Sequence, residues 1–163
     1  LVSARLAQAW AIVEGVPDPE LPSLSVVDLG IVRDIIAADN GNVTLTITPT
    51  YSGCPAMDAI RDDIVAAFAR EGQHCEVRTQ LAPAWTTDWI RPQALPKFRA
   101  LGIAPPHMQS HNVIALHRKQ ASLACPRCDS HDVVQLSHFG STACKALYRC
   151  QACTEPFDYF KPI

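Results

Sequence analysis

The chain has 163 residues, enough for one ordinary domain or a small core domain with a satellite, and its 48% hydrophobic content is that of a globular protein rather than a disordered one. With 14 Lys and Arg against 16 Asp and Glu, the net charge is −2 and there is no basic run, so neither nucleic acid nor an anionic membrane is expected as the main partner. No apolar stretch reaches membrane-spanning length and the N-terminus lacks a signal-peptide layout, so a soluble cytoplasmic protein is expected.

Ser3 is placed to cap a first helix whose stripe is Leu6, Ala9, Trp10 and Val13, closed by Gly15. Val16 to Leu21 and Pro22 hold three prolines and predict a stiff, extended surface segment carrying two carboxylates, Asp18 and Glu20. These could bind a cation or cap a helix, or they are ordinary solvated acids. Ile31 to Ala37 is β-prone, and Asn40-Gly41 joins it as a hairpin to a strand over 43–48, where Val43, Leu45 and Ile47 alternate with Thr44, Thr46 and Thr48. Pro49 stops that strand. Thr50 to Gly53 supply a turn, Cys54 follows, and Pro55 opens an amphipathic helix with Met57, Ile60, Ile64, Val65 and Phe68 on its inner stripe.

Cys54 therefore falls in the N-cap region, where free N–H groups and the helix dipole favour a thiolate and a loop can leave sulfur reachable. The alternative is a small packing residue. Cys75 to Leu81 alternates as a further strand with Cys75 facing inward. From Pro83 to Pro106 the chain is punctuated by proline, with a short helix expected over 94–101 ended by Gly102. His107, His111 and His117 share no helical face, His117 is assigned to an expected strand around 112–116, and the three read as unrelated surface residues.

Cys125-Pro126-Arg127-Cys128 and Cys150-Gln151-Ala152-Cys153 carry the strongest signal, two C-x-x-C knuckles that can close a tetrahedral four-thiolate site for zinc or iron. Strands are expected at 133–136, 146–149 and 157–160. So short a module needs the metal as a staple. Between the knuckles lies Phe139-Gly140-Ser141-Thr142-Ala143-Cys144-Lys145, where Cys144 is either a second exposed thiol or a packing residue. The fold class expected is α+β: a small α/β domain of helix, β-hairpin, helix and strand over 1–92, a connecting segment over 93–118, and a Cys₄ ribbon module over 119–163.

Asp18-Pro19-Glu20, Val27-Asp28-Leu29-Gly30-Ile31-Val32, the Thr48-to-Pro55 loop and Ala84-Trp85-Thr86-Thr87-Asp88-Trp89 together resemble the iron–sulfur assembly domain that includes SufT. With the ribbon and its Phe139-to-Lys145 loop, the whole chain resembles the PaaD family of phenylacetate degradation. That resemblance implies a non-catalytic accessory factor that assembles, delivers or repairs an iron–sulfur or di-iron centre of phenylacetyl-CoA epoxidase, in contact with its reductase or oxygenase component. It implies that Cys54 handles a transient iron–sulfur cluster. One cysteine cannot complete a cluster, so Cys144, an outside thiol or a homodimer partner would supply further ligands. A thiol oxidoreductase using Cys54 and Cys144, and a pure docking module held by the ribbon, are the competing readings.

Overall fold

The structure is a computed structural model, and it describes residues 2–38, 40–106 and 123–163. His107, His111, His117 and the strand expected at 112–116 lie outside those residues. The chain divides into two compact units, Leu1–Ala94 and Leu95–Ile163.

In the first unit, α1 (Val2–Glu14), β1 (Val32–Ala37), β2 (Val43–Ile47), α2 (Met57–Arg70) and β3 (Cys75–Thr79) follow in order. Ser3 lies inside α1 rather than ahead of it as a cap. β1 and β2 form the expected antiparallel hairpin, and β3 returns parallel to β2, giving the order β1-β2-β3. The central strand β2 buries Val43, Leu45 and Ile47, while Thr44 and Thr46 on its other face stay half-buried. The helices pack against β1 and β3 and against each other, α2 contributing buried Ile60, Ile64, Ala67 and Phe68. Val65, expected on that stripe, is instead exposed, because Ala67 takes the buried turn beside Phe68.

The proline-rich segment is not the extended rod that its composition suggests. The Asp18 carboxylate accepts the backbone N–H groups of Glu20 and Leu21, each at 2.9 Å, and this local turn folds the segment back on itself. Asp18 N–H then donates to Leu24 O at 2.8 Å and Val26 N–H to Val16 O at 3.0 Å, so Val16, Asp18, Leu21 and Leu24 are all buried.

Two of the short motifs hold each other. Trp85 donates its indole N–H to Leu29 O at 3.0 Å, and Arg91 N–H donates to Asp28 O at 2.9 Å. Gly30 sits at φ +67°, and a Cβ there would come within 2.3 Å of Trp89 O, so the position needs glycine twice over. The Arg33 guanidinium lies 3.4 Å from the centre of the Trp89 ring and covers it.

In the second unit, α3 (Ala94–Ala100, its first residue still in the first unit), β4 (Ile103–Ala104), β5 (Val133–Ser137), β6 (Lys145–Cys150) and β7 (Pro156–Phe160) form a sheet of order β4-β7-β6-β5 with one helix. The short helix and its Gly102 stop occur as expected. β4, two residues long and parallel to β7, lacks any sequence period of its own. One face of the sheet gathers Ala104, Cys125, Cys150 and Phe157, with Tyr148 stacked on Phe157 at 6.0 Å. On the other, Phe98 of α3 meets Phe160 edge-on at 5.3 Å.

Candidate metal centre and cysteine site

The two C-x-x-C knuckles have matching backbones. Residues just past the second cysteine of each, Asp129 and Thr154, are left-handed at φ 58° and 63°. Cys125 N–H donates to Ser130 O at 2.9 Å, and Cys150 N–H to Glu155 O at 3.0 Å, closing equivalent loops. Each loop turns an N–H inward to sulfur: Ser130 to Cys128, Glu155 to Cys153, and Cys153 to Cys150 at 3.5 Å.

Cys125 Sγ and Cys153 Sγ are 3.8 Å apart, Cys128 Sγ and Cys150 Sγ 3.5 Å, and all four sulfurs fall within 4.8 Å of one another. Thiolates about 2.3 Å from a tetrahedral centre would lie about 3.8 Å apart, so the set fits a four-coordinate ion. Cys125 and Cys150 are buried while Cys128 and Cys153 are exposed. Hydrogen bonds from backbone N–H, that of Cys153 first, bring the Cys150 thiol down to about 7. Cys128, although Ser130 N–H pulls it down, is pushed up to about 12 by sharing protons with Cys150 and the other sulfurs. A cation at the centre removes that conflict, and the ribbon is a metal-binding module.

Cys54 is in the first unit, where the β2–α2 loop ends. Its N–H donates to Tyr51 O at 3.1 Å and its carbonyl accepts from Met57 N–H at 3.4 Å. Helix α2 begins at Met57 with Ala56 as N-cap, so Cys54 stands two residues ahead of the cap rather than on it. The half-buried sulfur accepts the Ala56 N–H and a hydrogen bond from Thr50. Desolvation outweighs these donors and raises the thiol above its ordinary value, with the carboxylates of Glu20 and Asp18 adding to the rise. The thiolate expected from the helix dipole is therefore corrected: at rest the group is held as a thiol. The charges of Glu20 and Asp18 thus act on Cys54, with Asp18 buried as the turn former and Glu20 exposed. Thr50 was legible only as turn chemistry, and nothing in the sequence marked it as a sulfur donor.

Close by in sequence, Thr48 is 1% exposed and its hydroxyl has no hydrogen-bond partner among the described residues. Cys75 faces inward from β3, and burial pushes its thiol up to about 11. Cys144 is 6% exposed, with Thr142 Oγ1 at 3.0 Å from its sulfur, so of the two readings open from sequence it is the packing one that the structure has. The same loop is pinned by Asp158, which accepts the Ser141 hydroxyl at 2.9 Å and would clash at 2.5 Å with any Cβ on Gly140.

Comparison with known proteins agrees with this two-part layout. Residues 6–78 match the family described as "Iron-sulfur cluster assembly protein", and residues 109–161 match the "PaaD zinc beta ribbon domain". The chain is 46% identical over 160 residues to an Escherichia coli (strain K12) protein named as one subunit of a "Putative 1,2-phenylacetyl-CoA epoxidase", covering 98% of this chain and 94% of that one. It is 38% identical over 77 residues to "Fe-S protein maturation auxiliary factor YitW" of Bacillus subtilis (strain 168), covering 46% of this chain and 74% of that one. A crystal structure of a domain of unknown function, DUF59, from Bacillus anthracis superposes with a TM-score of 0.54 at 30% identity, over 61% of this chain and 93% of that one. An assembly-type first domain, a four-cysteine ribbon and near end-to-end similarity to one relative have one reading: the chain belongs to the PaaD family.

Proposed function

We propose that this protein is an accessory factor that assembles or delivers an iron–sulfur or di-iron centre for a phenylacetyl-CoA epoxidase, without itself catalysing a reaction on a small molecule. The observation that carries the reading is Cys54, the half-buried thiol at the mouth of α2 with Thr50, Glu20 and Asp18 around it. A thiol of this kind exchanges with the thiolate that brings a cluster: the Cys54 S–H proton leaves, an S–Fe bond forms, and the donor's thiolate departs with a proton. One protein sulfur holds the cargo only partly. Further ligands come from the donor, the recipient or a second copy of the chain, and such incomplete ligation suits a carrier that must let go.

In this reading Cys125, Cys128, Cys150 and Cys153 hold zinc, whose chemistry there is structural, fixing the ribbon as the surface that meets the epoxidase. Burial of Cys144 argues against the dithiol oxidoreductase alternative. Anaerobic reconstitution with iron and sulfide tests the proposal: wild type is expected to take up cluster and pass it to an apo-epoxidase component, and Cys54→Ser to lose transfer while keeping its ribbon metal. Equal transfer by the variant would sink the role of Cys54.

A further inference from the structure

The ribbon ends its sheet on β5, and among the described residues no strand pairs with the outer side of that strand. Half of the backbone donors and acceptors of such a strand point outward, and proteins usually guard them with charge or proline. β5 reads Val-Val-Gln-Leu-Ser and has neither. Val134 is 37% exposed, Leu136, which falls at the break in register, 50%, and Phe139 just beyond the strand 63%.

The end of this edge is built rather than loose. Phe139 N–H donates to Ser137 Oγ at 3.2 Å, Gly140 N–H to Lys145 O at 2.8 Å, and Ser141 is held by Asp158. Lys161 spans the turn, donating to His138 O at 3.2 Å with its ammonium 4.7 Å from the Phe139 ring. An exposed aromatic ring fixed by this many bonds is preorganised to be an anchor. Two cations stand by it, Lys161 on the ring and Arg149 of β6 across from Val134, while the Asp158 carboxylate that accepts the Ser141 hydroxyl lies nearby and Asp132 stands at the far end.

We infer that β5 and Phe139 form a docking edge that takes an extended segment of the client protein as an added strand, apolar at alternate positions and acidic where it passes Lys161 and Arg149. This rests on the accessory reading above and names the contact by which the client is held. The strand supplies register through its backbone, Phe139 supplies the anchor, and the two cations favour an acidic segment over a neutral one.

Binding of the full-length chain to purified phenylacetyl-CoA epoxidase components, read by surface plasmon resonance, tests it. Leu136→Lys and Phe139→Ala are each expected to weaken binding at least tenfold, and Lys161→Glu to weaken it and flatten its salt dependence, with ribbon metal content and Cys54-dependent cluster uptake as in wild type. Binding that survives Leu136→Lys and Phe139→Ala overturns the edge alone. A wild-type dimer in sedimentation that these substitutions dissociate would give the edge to a second copy and overturn the client assignment. Wild type that binds no component overturns the accessory reading together with this one.

Discussion

At Cys54 opposing influences act on one sulfur. The Ala56 N–H and Thr50 favour the anion, burial and the Glu20 and Asp18 carboxylates favour the neutral thiol, and the second group wins. A thiol held above its ordinary value reacts slowly at neutral pH and speeds up as pH rises past the range where a free thiol has already levelled off. Glu20→Gln removes one charge and is expected to speed alkylation of Cys54 by iodoacetamide severalfold at pH 7.5, as followed by mass spectrometry. An unchanged rate would mean that the carboxylate does not act on the sulfur. Asp18→Ala is not an equivalent change, since Asp18 Oδ1 also accepts two backbone N–H groups and its loss would open the turn. Cys75, at about 11 and buried, serves as the internal control that should stay unmodified in the folded chain.

Among the elements, the coupling of the Val27–Ile31 turn to the Trp85–Trp89 segment is decisive, because it ties the start of β1 to the chain beyond β3. Gly30→Ala places a methyl against the Trp89 carbonyl and forces a left-handed residue, and is expected to cost about 3 kcal/mol in urea denaturation. A change below about 0.5 kcal/mol would show that the segments can part freely. Sequence periodicity made β2, α2 and the ribbon strands visible, since each repeats an apolar residue at the spacing of its own geometry. The fold of the proline-rich segment was not visible, because one carboxylate bends it through bonds that no period encodes. β4 escaped for a related reason: two residues are too few to alternate. The four ribbon ligands were legible from spacing, whereas the nearness of Glu20 to Cys54 depends on how distant parts of the chain fold together.

For the whole molecule, the two units depend on different forces. The first has a core of β2 and α2 side chains, and residues 6–78 of it match the iron–sulfur cluster assembly family on their own. The second has Cys125 and Cys150 within its own core, so its folding and its metal are linked. Metal binding displaces protons from the four ribbon thiols, so affinity falls as pH is lowered. A chelator is therefore expected to strip the ribbon faster at pH 5.5 than at pH 8 and to unfold residues of the second unit while hydrogen exchange in β2 and α2 stays slow. Loss of protection in both units at once would contradict this. The knuckles also give the bound ion two unlike sides, Cys125 and Cys150 turned to hydrocarbon and Cys128 and Cys153 to water. Damage by peroxide should consequently be directional: the wet pair oxidises first, the clasp opens from outside like a hinge with its pin still seated, and a reductant can close it again before the dry pair is touched.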